Sequence, residues 1–122
     1  MDTSNLTQEI AILHAELCSA LADPTRLILL YVLDEKPCNV SELTQKLAVP
    51  QPSVSRHLKV LRDGGLVRAT RQGTSVLYEL TDPRVIEALD ILRSIMRDSI
   101  QKRATLVEDV AAKIAFTRDE RR

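Results

Sequence analysis

Hydroxyl and cationic side chains are concentrated in the stretch QPSVSRHLK, which runs from Gln51 to Lys59. Ser53 and Ser55 carry hydroxyls, and Arg56 and Lys59 carry positive charges. Hydroxyl groups and lysine bind phosphate oxygens, and an arginine can make a bidentate contact to the edge of a guanine. This combination favours a nucleic-acid-binding surface, provided that one element presents all four side chains together.

An amphipathic helix would present them in this way. Pro52 suits the first helical position, where its missing N–H costs nothing. Val54, Leu58 and Leu61 follow one another at i, i+4 and i+7, so the hydroxyl and cationic side chains must point away from this apolar stripe. Gly64-Gly65 then supplies the positive φ that ends a helix.

Two short strands are predicted after this helix. Leu66 to Thr70 and Ser75 to Leu80 are rich in β-branched and apolar residues, and Gln72-Gly73 suits the tip of a hairpin. Arg68 and Arg71 lie beside that tip. The order of helix, glycine stop, strand, turn and strand is typical of a DNA-binding helix followed by a β-wing.

A shorter helix is predicted directly upstream. Ser41 is a suitable N-cap, and Leu43 and Leu47 provide an apolar side. Residues Ala48 to Gln51 form a tight connection into the next helix. Two short helices joined by such a turn, the second of them basic on its outer side, indicate a helix-turn-helix over residues 41–63, with the wing over residues 66–80.

The remaining helices are predicted to form the core and a partner interface. A first helix runs from about Thr7 to Leu21, and Asp23-Pro24 starts a second, which is apolar nearly all round between Leu27 and Leu33. Asp82-Pro83 opens a long final helix over residues 83–113. Its apolar stripe is formed by Val85, Leu89, Leu92 and Met96. One small domain does not need so much apolar surface on one helix, so we predict that this stripe packs on a partner.

Length and composition narrow the function classes. The 122 residues suit a single domain, and three aromatic residues are too few to stack the bases of single-stranded nucleic acid. Residues 51–80 carry five basic and two acidic side chains in a chain that is neutral as a whole, so positive charge is concentrated at the predicted helix and wing. The longest apolar run is far below the ~18 residues of a membrane span, and no signal-like segment is visible. We therefore expect a cytoplasmic protein with no membrane partner.

Three segments occur in order between about Glu16 and Leu80: ELCSALADPTRLILLYVL, VSELTQKLAVPQPSVSRHLKVLRDGGLV and RQGTSVLYEL. Together they resemble the ArsR/SmtB family of bacterial winged-helix repressors. The resemblance implies a mainly α-helical winged helix-turn-helix with a small β-hairpin, dimerising through its N-terminal and long C-terminal helices. It also implies that a homodimer binds an inverted repeat in double-stranded DNA and is released by an inducer.

The resemblance also assigns residues to the DNA-binding surface. The recognition-helix positions are occupied by Gln51, Ser53, Ser55, Arg56 and His57, and Arg71 lies at the tip of the wing. Two roles remain open for His57. It contacts a phosphate, or it is a packed, hydrogen-bonded histidine at the edge of the helix.

The metal sites best known in this family are absent from this sequence. Glu42-Leu43 is followed by Thr44-Gln45-Lys46 instead of a Cys-x-Cys, and residues 82–122 contain no histidine. The stretch Leu29-Leu30-Tyr31 also lacks the cysteine that persulfide-sensing members carry there. We therefore expect no metal or other cofactor at these positions, and the inducer stays unknown.

Cys18, Cys38 and His14 remain as candidates for a thiol sensor. His14 and Cys18 are four residues apart, so on one helix face they would form a two-ligand half-site. Cys38 lies in a polar loop, where we expect it to be exposed and reactive. The alternative for Cys18 is a small buried hydrophobe with no sensing role.

Two other function classes compete with a DNA-binding regulator. A winged helix that binds a protein partner would leave the serines and arginines incidental, and salt-sensitive binding to duplex DNA separates the two. An enzyme would need more than a Cys18–His14 pair, and neither a glycine-rich loop nor a further acid–base motif is visible. We therefore predict a homodimeric transcriptional repressor that is not an enzyme.

Overall fold

The computed structural model describes residues 3–120, which form two compact units divided after Ile86. The first unit contains four helices, a hairpin and the start of a fifth helix, and the second unit is the remainder of that helix. The aliphatic core of the first unit draws its largest fully buried side chains from α2 (Pro24–Glu35), α3 (Val40–Leu47) and α4 (Gln51–Asp63).

The first helix changes its geometry part-way along. Helix α1 spans Thr3–Ile12 and continues as a π-helical segment, Leu13–Cys18, and the chain stays helical to Ala20. We call residues 3–20 together the first helix. The sequence predicts a regular helix from about Thr7, whereas the observed helix begins earlier. The π-helical segment adds a residue to each hydrogen-bonded turn, and the spacing of apolar residues did not reveal it.

The start of α2 agrees with the sequence prediction. The carboxylate of Asp23 accepts hydrogen bonds from the backbone N–H of Thr25 at 2.8 Å and of Arg26 at 3.3 Å, which is the N-cap arrangement. Leu29, Leu30 and Leu33 are buried, as expected of a central helix. Ile28, by contrast, is 51% exposed, so the helix is not buried on every side.

The cap of α3 differs from the prediction. Asn39 is the N-cap, because its side chain accepts the N–H of Glu42 at 2.9 Å while the Glu42 carboxylate accepts the N–H of Asn39 at 3.1 Å. The prediction of Ser41 as the cap is wrong. The chain is still extended at Asn39, and the preceding Cys38 pairs with Tyr78, so the first position with a capping geometry is Asn39.

Helix α4 presents its predicted apolar stripe to the core. Val54, Leu58 and Leu61 are each fully buried, which confirms that the polar residues between them lie on other faces. The helix begins at Gln51, one residue earlier than predicted. It ends at the glycine pair as expected, with Gly65 at a φ of +75°.

The hairpin consists of β1 (Val67–Gln72) and β2 (Ser75–Leu80), which pair antiparallel with Gln72 opposite Ser75. This register makes Gly73-Thr74 the turn, so the predicted tip at Gln72-Gly73 is wrong by one residue. Gly73 has a φ of +61°, the conformation that a two-residue hairpin turn requires. The order α3, turn, α4 and hairpin is that of a winged helix-turn-helix.

The last helix, α5, spans Arg84–Glu120 and is longer than predicted. Its start agrees with the prediction, since the Asp82 carboxylate accepts the backbone N–H of Arg84 at 2.9 Å. Among residues 3–120, no helix is long and apolar enough to cross a membrane.

Candidate nucleic-acid interface

The surface of α4 that is turned away from the core, together with its first residue, carries an exposed set of hydrogen-bonding side chains, which we call the polar face. Its members are Gln51, Ser55, Arg56 and Lys59, all of them exposed. Ser53 is half-buried and lies to one side of this face. Because the apolar stripe holds the opposite side of α4 in the core, the polar face is presented to solvent by the packing of the helix itself.

The cations of this surface are available to an external anion. Within residues 3–120, Arg56, Lys59 and Arg71 form no ion pair with a carboxylate. A phosphate or a guanine edge therefore does not have to displace an internal partner in order to bind them.

The two arginines of the wing differ in whether a carboxylate pairs with them. The Nε of Arg68 donates to Oε1 of Glu79, its cross-strand partner, at 2.7 Å. This contact raises the pKa of Arg68, first through the hydrogen bond and then through the opposite charge. Arg71 lies opposite Val76 and is exposed. Since successive side chains alternate between the faces of a strand, Arg68 and Arg71 project from opposite faces of the wing.

His57 is arranged differently from the other predicted DNA-binding residues. Its side chain is only 18% exposed, and Nη1 of Arg26 lies 3.2 Å from its Nδ1. An arginine can only donate, so Nδ1 accepts and the proton of the neutral ring is on Nε2. Nε2 lies 4.0 Å from Oδ1 of Asp23. The structure thus places His57 among packed, hydrogen-bonded groups at the edge of the helix.

Arg26 also binds the end of the first helix, and sequence reasoning missed this residue. Its Nε donates to the carbonyl of Ala20 at 2.6 Å, and its Nη2 donates to the carbonyl of Ser19 at 3.2 Å. The guanidinium therefore joins the first helix to α4 through His57. No sequence pattern identifies this role of Arg26, because two of its acceptors are backbone carbonyls, which every residue type possesses.

The carboxylate of Asp23 completes this junction. Partial desolvation raises the pKa of Asp23, but the backbone hydrogen bonds from Arg26 and Thr25 outweigh it, together with the positive charge of Arg26. The result is a pKa below the ordinary value for aspartate. Asp23 is thus held in its ionised form, in which it caps α2 and faces His57.

The two candidate cysteines differ in their exposure to solvent. Cys38 is fully buried, so the expectation that it is exposed is wrong. Its N–H and carbonyl pair with the backbone of Tyr78, and this bridge draws the preceding loop onto the wing. Burial raises the pKa of the Cys38 thiol, whose Sγ lies 3.4 Å from the carbonyl of Lys36. A buried thiol with a raised pKa is a poor nucleophile.

Cys18 is exposed, contrary to the alternative of a small buried hydrophobe. Cys18 and His14 both lie in the π-helical segment, and His14 is also exposed. In the part of the chain that the structure describes, no three His, Cys, Asp or Glu side chains lie close enough together to hold a metal ion. Within one chain the pair therefore remains two potential ligands without a third.

Comparison with known proteins places this site in a family. The family model described as bacterial regulatory protein, arsR family, matches residues 23–69. The transcriptional repressor SmtB of Mycobacterium tuberculosis is 45% identical over 75 residues, which are 62% of this chain, and the chain spans only 56% of the length of that protein. The regulator NmtR of the same organism is 39% identical over 85 residues, covering 70% of this chain and 71% of NmtR.

A solved structure supports the same assignment. The crystal structure of Rv0081 from M. tuberculosis superimposes with a TM-score of 0.70 at 30% identity. The match covers 78% of this chain and 96% of Rv0081.

Proposed function

Because the chain belongs to the arsR family of bacterial regulatory proteins, we propose that it is a transcriptional repressor that binds double-stranded DNA as a homodimer. The observation that carries the proposal is the polar face. It combines exposed hydroxyl, amide and cationic groups on a helix that is held against the core by its other side. A helix of this kind fits the major groove of B-DNA, which is wide enough to admit it.

The residues of this surface would have different roles. Arg56 points outward from the middle of α4, so it is the residue that we assign to a guanine edge. Gln51, Ser55 and Lys59 would bind phosphates or neighbouring base edges. Arg71 on the exposed wing would bind the phosphate backbone, where it would add affinity without reading sequence.

The homodimer is supported by exposed apolar side chains of α5, although not by the whole of the predicted stripe, since Leu89 is only 8% exposed in the single chain. Ile91, Leu92, Ile95 and Met96 are 62%, 60%, 60% and 54% exposed, which leaves a continuous apolar stretch in contact with water in a single chain. A second copy would cover it and would place two copies of α4 on one DNA. Their half-sites would lie about one helical turn, ~34 Å, apart in an inverted repeat.

We propose that a thiol-reactive inducer, if one acts directly, acts through Cys18. Of the two cysteines, this one is exposed in the described structure. Oxidant or arsenite should release DNA from the wild type and release less from Cys18→Ser, whereas zinc should have little effect. Full release from Cys18→Ser would exclude this thiol as the entry point of the signal.

The test of DNA binding starts from a random library of about 30 base pairs, three helical turns, from which the protein selects its preferred duplex. Arg56→Ala should weaken binding to the selected duplex by ~1 to 3 kcal/mol and have little effect on a scrambled duplex. Arg97→Ala removes the same charge from an exposed position on α5 and serves as the matched control.

One outcome would contradict the role of Arg56, and another would contradict the function itself. Equal losses on selected and scrambled duplexes would place Arg56 on the DNA backbone. If the protein selects no duplex at all, and its binding to random DNA is insensitive to salt, it is a protein-interaction module.

A further inference from the structure

We propose that Arg26 and His57 are positioning residues for DNA recognition, and that they set the orientation of α4 against the first helix. On this view His57 does not contact a phosphate. The inference rests on the proposed DNA-binding function and goes beyond it, because it assigns a role to a contact that lies off the polar face.

One side of α4 carries the contacts to the first helix. It is formed by His57, Val60 and Gly64, which follow one another at i, i+3 and i+7 and therefore lie on one side of a helix. We call this side the inner flank. It is distinct from the polar face, to which the other predicted base and phosphate contacts are assigned.

The first helix is joined to the inner flank at two points, directly at Gly64 and through Arg26 of α2 at His57. At one end, Gly64 approaches so closely that a Cβ at this position would lie 2.9 Å from the carbonyl oxygen of Glu16 and 3.2 Å from the Cβ of Ala20. At the other end, Arg26 bridges His57 and the carbonyls of Ser19 and Ala20. His57 and Gly64 are seven residues apart, which is roughly 10 Å along a helix.

Packing beside the Gly64 contact is incomplete. Val60 is 37% exposed, and a cleft of about 220 Å³ that is lined by Val60, Gly64 and the first helix opens there. Close packing otherwise enforces the relative orientation of two helices. The buried apolar stripe of α4 sets its position in the core, and on the inner flank the contact at Gly64 and the guanidinium of Arg26 set its orientation against the first helix.

The hydrogen bonds of Arg26 to its three acceptors have a fixed geometry. Arg26 uses three of its nitrogens at once, two on carbonyls and one on His57, and the planar guanidinium holds these donors in a rigid fork. A lysine would keep the charge and lose the fork. An asparagine in place of His57 would keep an acceptor near the position of Nδ1, whereas a lysine there would bring a second positive charge against Arg26.

These substitutions separate the two roles of His57. A phosphate contact requires a cation or donor, so under that role His57→Lys should preserve binding to the selected duplex. A positioning role predicts that His57→Lys binds more weakly by roughly tenfold, the loss expected when a hydrogen bond to a charged group is removed. His57→Asn can both accept from Arg26 and donate to a phosphate, so it should bind near wild type under either role and serves as the conservative control. Arg26→Lys should weaken binding by a similar factor.

A double-mutant cycle tests whether the two residues act together. Arg26→Lys combined with His57→Leu should bind the selected duplex no more weakly than the worse of the two single variants, because both remove the same contact. Arg26 also ties down the first helix, so thermal melting accompanies each variant. The His57 series stays informative even if Arg26→Lys destabilises the fold, since His57 holds no backbone carbonyl.

The controls distinguish failure of this inference from failure of the proposed function. If the wild type binds its selected duplex, Arg56→Ala weakens binding, and His57→Lys and Arg26→Lys bind like wild type, the positioning role is wrong and DNA recognition stands. Additive losses in the double variant would equally overturn it. If the wild type selects no duplex, the proposed function itself has failed.

Discussion

Cys38 and Tyr78 exchange two backbone hydrogen bonds, Cys38 N to Tyr78 O at 3.0 Å and Tyr78 N to Cys38 O at 2.8 Å. This antiparallel bridge ties the loop before α3 to the second strand of the wing. It also draws the Cys38 side chain into the core, where its exposure is 0%. The accessibility of the Cys38 thiol, and with it its reactivity, is therefore determined by a backbone contact between residues that are distant in sequence.

We expect the two cysteines to react with an alkylating reagent at very different rates. Cys18 is exposed, whereas Cys38 can react only after local opening, so Cys38 should be labelled at least about a hundredfold more slowly. Mass spectrometry of the native protein over time measures both rates, and labelling in denaturant is the control in which they become similar. Comparable rates in the native protein would show that the bridge to Tyr78 opens readily.

Arg71→Ala should weaken binding to selected and scrambled duplexes by similar factors. A lost phosphate contact reduces the slope of log K against log salt concentration by about one. Arg68→Ala is the matched control on the same strand, and it should change the slope less because Glu79 already holds that charge. Titrations at several salt concentrations measure the slopes, and equal changes for both arginines would contradict the assignment.

Leu92→Glu should convert the proposed dimer to a monomer. Leu92 is 60% exposed in a single chain, and a carboxylate buried in an interface carries a large desolvation cost. Sedimentation velocity measures the state of assembly, and binding to an inverted repeat should fall at least about tenfold once the two half-sites are bound independently. Gln101→Glu, on the opposite side of α5, should leave both unchanged. A Leu92→Glu variant that remains dimeric would place the interface elsewhere.

The stability of the protein should fall in acid partly through Asp23. Its folded-state pKa lies below the ordinary value of 3.8, so its charge stabilises the fold above that value, and this contribution is lost as the pH falls through the folded-state pKa. Asp23→Asn keeps a capping oxygen without the charge. Urea unfolding should show that wild type is more stable than Asp23→Asn at about pH 6. This difference in the free energy of unfolding should shrink as the pH falls to about pH 3. A difference that does not change with pH would mean that the carboxylate charge contributes nothing.

Much of this fold could be predicted because it depends on sequence patterns that act over a few residues. The apolar stripe of Val54, Leu58 and Leu61 is buried as predicted, and the caps at Asp23 and Asp82 start their helices as predicted. Helical periodicity, proline at a helix start and glycine at its end act over a few residues. The polar face of α4 follows from the same periodicity, since fixing one side of a helix fixes the others.

Only the tertiary structure decided which candidate residues are exposed and which are packed against distant segments. His57 lies in the same nonapeptide as Arg56, yet its ring is turned towards Arg26, thirty-one residues earlier in the chain. The sequence predicts that Cys38 is an exposed loop residue, whereas in the structure it is buried and forms a backbone bridge with Tyr78. In both cases the partner is distant in sequence, and for Cys38 it is a main-chain group that every residue type possesses. Residue types and spacings record the local chain, whereas the environment of a side chain depends on which distant segments the fold brings beside it.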